Sequence, residues 1–134
     1  MTAWGEPVAG LRLGIAARGG AVVELSLENT GDVALQVLSH VLAAGEEHLD
    51  WFTVHVGSRE LRLLDERNRS AVVRVTLAPG DAVTHTVDLA AWALRARNGA
   101  RELSPGPARA TYDAPATPDT WSGRLESGRV ELPR

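Results

Sequence analysis

Apolar and polar residues alternate along much of this chain with a period of two. In Ala21–Gly31, AVVELSLENTG, the residues Val23, Leu25 and Leu27 fall on one face of an extended segment, and Glu24, Ser26 and Glu28 on the other. Side chains of a strand point alternately to its two faces, so the pattern predicts a half-buried β-strand with one wet side. Asn29-Thr30-Gly31-Asp32 follows, a run of residues suited to turn geometry. The same rhythm places Leu11, Leu13 and Ile15 together in a strand over Val8–Ala16, with Arg12 and Gly14 opposite and Arg18-Gly19-Gly20 as the next turn. Val33, Leu35 and Val37 alternate with Ala34, Gln36 and Leu38 in the strand after Asp32, and the short connection from Glu28 to Val33 suits a hairpin.

Further along, Ala43–Asp50 is polar and reads as a loop. Trp51–Val56 is a strand with Phe52, Val54 and Val56 on one face and Trp51, Thr53 and His55 on the other. Arg59–Leu64 is expected to pair with it through Gly57-Ser58, and Asp65–Ser70 to form a charged turn. Val72–Leu77 and Val83–Leu89 are strands separated by Pro79-Gly80-Asp81. Residues 89–95 have a helical pattern, with Asp88 as cap and Asn98-Gly99 as stop; two turns are too few to hold without packing. Ala108–Tyr112, Trp121–Ser127 and Arg129–Leu132 complete the set, with Gly128 as a kink or bulge between the last two and Asp113–Thr120 as a loop. Eight or nine short strands with regular turns predict an all-β chain, an antiparallel β-sandwich forming a single domain over residues 1–134. Strands do not alternate with long helices, which argues against a doubly wound α/β fold.

Composition narrows this picture modestly. The chain has 134 residues, enough for a real core, with 44% hydrophobic and 23% charged residues and a net charge of −3. That balance argues against nucleic acid as a partner. No cysteine is present, which excludes disulfides and thiolate metal sites. All 14 basic residues are arginine, a bias that a GC-rich genome explains as well as selection for bidentate cations does. No stretch is apolar enough to span a bilayer, and no signal peptide opens the chain, so no membrane partner is expected. A cytoplasmic location follows if the chain is full length, an exported one if a leader has been removed.

Several segments taken together resemble a known group. Trp4-Gly5-Glu6-Pro7-Val8 and Leu25-Ser26-Leu27-Glu28-Asn29-Thr30-Gly31-Asp32 resemble immunoglobulin-like accessory domains of bacterial multidomain proteins. The second segment, with Leu35-Gln36-Val37-Leu38, Phe52-Thr53-Val54, Leu77-Ala78-Pro79-Gly80-Asp81, Val87-Asp88-Leu89 and Trp121-Ser122-Gly123-Arg124-Leu125-Glu126-Ser127, is also similar to the pro-domain of deuterolysin-type zinc metallopeptidases. The resemblance covers roughly Trp4 to Leu132 and rests on turns and core positions. It departs where Pro105-Gly106 is followed by Pro107-Ala108 rather than by an early tyrosine, and it includes no His-Glu-x-x-His protease motif. It implies an immunoglobulin-like sandwich of about seven to nine strands and no peptidase activity.

Candidate chemistry is sparse. His40 and His48 flank one loop and, with Glu46, Glu47 and Asp50, make the nearest approach to a metal set, but a solvated acidic loop explains them better, so no metal and no cofactor are expected. His85, between Val83 and Val87, reads as a half-buried, hydrogen-bonded residue. Ser39 and His40 are adjacent in a predicted strand, so their side chains are expected to face opposite ways and not to form a dyad. No Gly-x-Ser-x-Gly elbow and no phosphate loop occur. The chain therefore reads as non-catalytic: an interaction or accessory domain that presents loops or an edge strand to a protein partner, or to a second copy of itself. The alternatives are a pro-domain-like inhibitor or chaperone, and a module binding carbohydrate or a small ligand on an aromatic face built from Trp51, Trp92, Trp121 and Tyr112. The residues expected at a partner surface are Trp4 and Trp121 near the termini, Arg67 and Arg69 in the charged turn, and Glu46 and Glu47 in the acidic loop.

Overall fold

A computed structural model describes residues 2–43, 46–49, 51–57, 59–62, 71–91 and 106–132. The chain is all-β and antiparallel. Its strands are β1 (Ala3–Trp4), β2 (Leu11–Gly19), β3 (Val22–Asn29), β4 (Leu35–Ala43), β5 (Glu46–His48), β6 (Phe52–Val56), β7 (Arg59–Arg62), β8 (Ala71–Leu77), β9 (Ala82–Asp88), β10 (Gly106–Ala114), β11 (Gly123–Glu126) and β12 (Val130–Leu132). Among the described residues they form three sheets. The first has the order β1-β2-β3-β9, the second β11-β10-β6-β7 with β12 also on β10, and the third β5-β4-β8.

The alternation decides which faces are buried. Leu11, Leu13 and Ile15 of β2, Val23, Leu25 and Leu27 of β3, and Val87 of β9 form the inner face of the first sheet. Phe52, Val54 and Val56 of β6 and Ala108, Ala110 and Tyr112 of β10 form that of the second, and both belong to one apolar cluster. Val37 and Leu38 of β4 join the same cluster, so the third sheet contributes to the shared core as well. The sheets meet closely at one margin. Gly128 N–H donates to the Ala3 carbonyl at 3.2 Å, and a Cβ built on Gly5 would run into the Glu126 carbonyl. Only glycine lets the two backbones cross there. Gly128 is the predicted kink: β11 and β12 lie on either side of it, and both pair with β10.

Three expectations are corrected. Asn29–Val33 does not close a hairpin, because β3 and β4 lie in different sheets. Asn29, fully buried, explains the crossing: its Nδ2 donates to Val33 O at 2.8 Å and to Leu77 O at 2.9 Å, and its Oδ1 accepts from Gly31 N at 2.9 Å. One side chain thus ties the end of β3, the entry to β4 and the end of β8. Second, Ala43–Asp50 is not a loop throughout; β5 turns back on β4, with Ala43 opposite Glu46 and Val41 opposite His48. Backbone pairing outweighs the polarity that made this stretch look irregular. Third, Asp113 and Ala114, expected in a loop, extend β10, where they pair with Arg124 and Gly123. The expected helix begins at residues 89–91, where Ala90 N donates to the Asp88 cap at 3.1 Å; the rest of that segment and the Asp65–Ser70 turn lie outside the described residues.

Candidate functional site

The consecutive strands β8 and β9 are joined by the tight Leu77–Ala82 turn, with Asp81 N donating to Ala78 O at 2.9 Å. They do not continue as a hairpin ladder. β8 pairs with β4 and ends the third sheet, while β9 pairs with β3 and ends the first. Each therefore presents, among the described residues, an edge without a neighbouring strand. Sheet edges usually carry lysine, proline or a bulge that discourages pairing. These two carry Val72, Val73, Val75 and Thr76, and Val83, Thr84, Thr86 and Val87, residues that favour extended pairing, with Arg74 and the terminal Asp88 as the charges. Val72 is 44% exposed.

Beneath this edge lies a polar knot. A bulge in β4 between Leu38 and His40 breaks the strict alternation of faces. Ser39 Oγ consequently lies 2.9 Å from His40 Nδ1 and 3.0 Å from His85 Nε2, which corrects the expectation that Ser39 and His40 point apart. Ser39 is fully buried, and the trio links β4 to β9. His85 is hydrogen-bonded, as its position between two valines suggested, but at 7% exposure it is buried rather than half-buried. Its ring packs edge-on against Phe52 at 5.8 Å, and Phe52 in turn lies 4.8 Å from Tyr112. Tyr112 O–H donates to Leu38 O at 2.6 Å, and burial pushes its phenol pKa well above the usual value.

The outer face of the second sheet holds a different arrangement. His55 of β6 lies directly across from Arg109 of β10 and from Glu60 of β7. With Gly57, Pro107, Ala108 and Arg129, His55 and Arg109 line a pocket of about 290 Å³. His55 Nε2 is buried and meets no hydrogen-bond partner. Burial, and then the Arg109 guanidinium, lower the His55 pKa below its ordinary value. Arg109 reaches Glu126 only at 3.7 Å, in a solvent-exposed pair. Arg129 has no carboxylate partner among the described residues.

The residues singled out in the sequence do not converge. Trp4 sits half-buried across from Gly14, where a Cβ would lie 2.7 Å from its ring, and the Arg12 guanidinium lies 4.1 Å from the ring centroid. Arg12 is held in turn by Glu28, its Nε donating at 2.7 Å. Trp121, expected to be partly exposed, is buried instead; its Nε1–H donates to Val8 O at 3.1 Å and its ring packs 5.9 Å from Tyr112. With Tyr112 and Trp121 both interior, the expected aromatic platform for a carbohydrate loses two of its four members, and Trp92 lies outside the described residues. Glu46 and Glu47 belong to β5, but their side chains lie outside the described part, as do Arg67, Arg69 and Asp50 altogether. Among the described residues no group of three acidic or histidine side chains is arranged to hold a metal.

The alternation placed His55 on the Trp51 and Thr53 face of its strand and gave no sign of the pocket. The alternation of Ala108, Ala110 and Tyr112 also puts Arg109 outward; what the sequence lacks is the register that sets Arg109 beside His55. No family model matches this chain, and no curated protein does.

Proposed function

We propose that this protein is a non-catalytic interaction domain that takes a protein partner by strand addition at the β8 and β9 edges. The observation that carries this reading is the pair of seven-residue strands that are adjacent in the chain, end two different sheets, and are rich in β-branched residues where edges are ordinarily defended. A partner strand would gain main-chain hydrogen bonds from either edge, and Val72 offers it an exposed apolar contact. An immunoglobulin-like arrangement is part of this reading; what supports it is that β1, β2, β3 and β9 form one sheet and β7, β6, β10 and β11 a second, with β5, β4 and β8 as a third. The pro-domain-like alternative draws less support. It needs a segment able to enter a cleft, and the Pro115–Pro118 stretch is short and runs into a turn in which Thr120 N donates to Thr117 O at 3.4 Å.

The test uses lysine as a guard. Val72→Lys with Thr76→Lys on β8, and Thr86→Lys on β9, place a charge at exposed edge positions without removing core contacts. The tagged chain is expected to recover a partner from extracts of the source cells, or to self-associate in sedimentation velocity, and at least one edge variant is expected to lose that association with an unchanged melting temperature. Association that survives in both variants would overturn strand addition.

A further inference from the structure

We propose that the pocket on the outer face of the second sheet binds a small organic anion, with its oxyanion between Arg109 and Arg129 and its apolar body against Gly57 and Pro107. Among the described residues the lining combines two guanidiniums and an imidazole with no carboxylate, and its other members offer little side-chain polarity. A guanidinium fork matches the paired oxygens of a carboxylate or phosphate, which is why arginine suits this recognition better than a point charge does.

Three features favour a ligand over a solvated surface groove. Arg129 has no competing carboxylate among the described residues, and Arg109 is only loosely engaged by the exposed Glu126, so both guanidiniums are available. His55 Nε2 is a buried polar atom without a protein partner, an arrangement that costs free energy until an acceptor or donor approaches. His55 lines the same pocket, and a small rotation of its ring would offer this nitrogen to an oxygen drawn in by the arginines. The volume, about 290 Å³, equals roughly ten waters' share of the liquid, enough for a single aromatic or short aliphatic acid and too small for a large cofactor. Glu60 and Glu126 share the sheet face with His55 and disfavour anions there, but neither lines the pocket. The site also lies on a different sheet from the β8 and β9 edges, so it stands or falls independently of the strand-addition reading.

The anion bears on His55 directly. Burial, and then Arg109, lower the His55 pKa, and a bound negative charge would act in the opposite direction, so occupancy should raise it. The test is a titration of the full chain with benzoate, phenyl phosphate and inorganic phosphate, followed through the His55 ring signals at fixed ionic strength. Saturable shifts with benzoate or phenyl phosphate are expected, together with a rise in the His55 pKa. Whichever of the two binds more tightly distinguishes a carboxylate from a phosphate head. Inorganic phosphate, which lacks the apolar body, is expected to bind at least tenfold more weakly than phenyl phosphate. Arg129→Gln, at an exposed position, is expected to weaken binding about tenfold or more and to leave the melting temperature unchanged. No saturable shift with either organic anion, equal binding by the Arg129→Gln chain, or equal effects of chloride at matched ionic strength would each overturn the proposal.

Discussion

Replacing Asn29 with alanine should be among the most damaging single changes to a polar side chain here. Asn29 is fully buried, donates to Val33 O and Leu77 O and accepts from Gly31 N, so the truncation deletes three side-chain hydrogen bonds and strands two carbonyls near the β3–β4 crossing. At a net of roughly 0.5–1.5 kcal/mol for each bond, the loss comes to about 2–4 kcal/mol, on the order of a 10 °C fall in melting temperature for a domain of this size. Urea unfolding followed by tryptophan fluorescence reads it as a lower midpoint with an unchanged slope. Asn29→Asp sharpens the test. It keeps the oxygen that caps Gly31 but turns a carboxylate oxygen toward two carbonyls. Repulsion and burial raise the folded pKa of that aspartate above its unfolded value. The variant is then least damaged below about pH 4, where the unfolded chain is also protonated, and loses further stability as pH rises through the folded pKa. A cost below about 0.5 kcal/mol for Asn29→Ala would refute the reasoning, because it would mean that the tie among β3, β4 and β8 contributes less than one ordinary hydrogen bond.

Other consequences follow from the same contacts. Gly5→Ala should destabilise by about 1–3 kcal/mol, because its Cβ meets the Glu126 backbone rather than a side chain that can move aside; a thermal scan indistinguishable from the parent would contradict the crossing. Tyr112 is the chain's single tyrosine, so the tyrosinate rise in absorbance near 295 nm comes from it alone. Its folded pKa is raised, so its contribution is complete below about pH 10 and is lost as pH climbs; the phenol should ionise together with unfolding, and a smooth titration near pH 10 in the folded protein would disprove its burial. His55 has a lowered folded pKa, so the stability it contributes is present above about pH 6.5 and is lost as pH falls below that value. His55→Gln should flatten that acid limb, and a ring signal titrating at or above pH 6.5 without added anion would refute the assignment.

The two-residue rhythm made the inner faces of β2, β3, β6 and β9 legible, because burial on one side of a pleated strand imposes it directly. The sheet to which each strand belongs was not legible. Asn29-Thr30-Gly31-Asp32 has the composition of a hairpin turn, and nothing local reveals that the Asn29 side chain reaches Leu77 and sends β4 into another sheet. The Leu38–His40 bulge was equally hidden, since one extra residue reverses the faces of Ser39 and His40 without changing the composition. Trp121 misled by its nearness to the end of the chain; its ring is drawn inward by Tyr112 and by the Val8 carbonyl. The outer-face pocket depends on Arg109 lying opposite His55, a pairing of residues far apart in sequence that no single strand pattern encodes.

Native-state hydrogen exchange, resolved by residue across β8 and β9, tests the central claim most directly. If both strands end their sheets, amides facing β4 and β3 will be protected, and every second amide, facing outward, will exchange rapidly in the isolated protein. Continuous protection along both strands would mean that these edges are already paired, leaving no open ladder for a partner to extend.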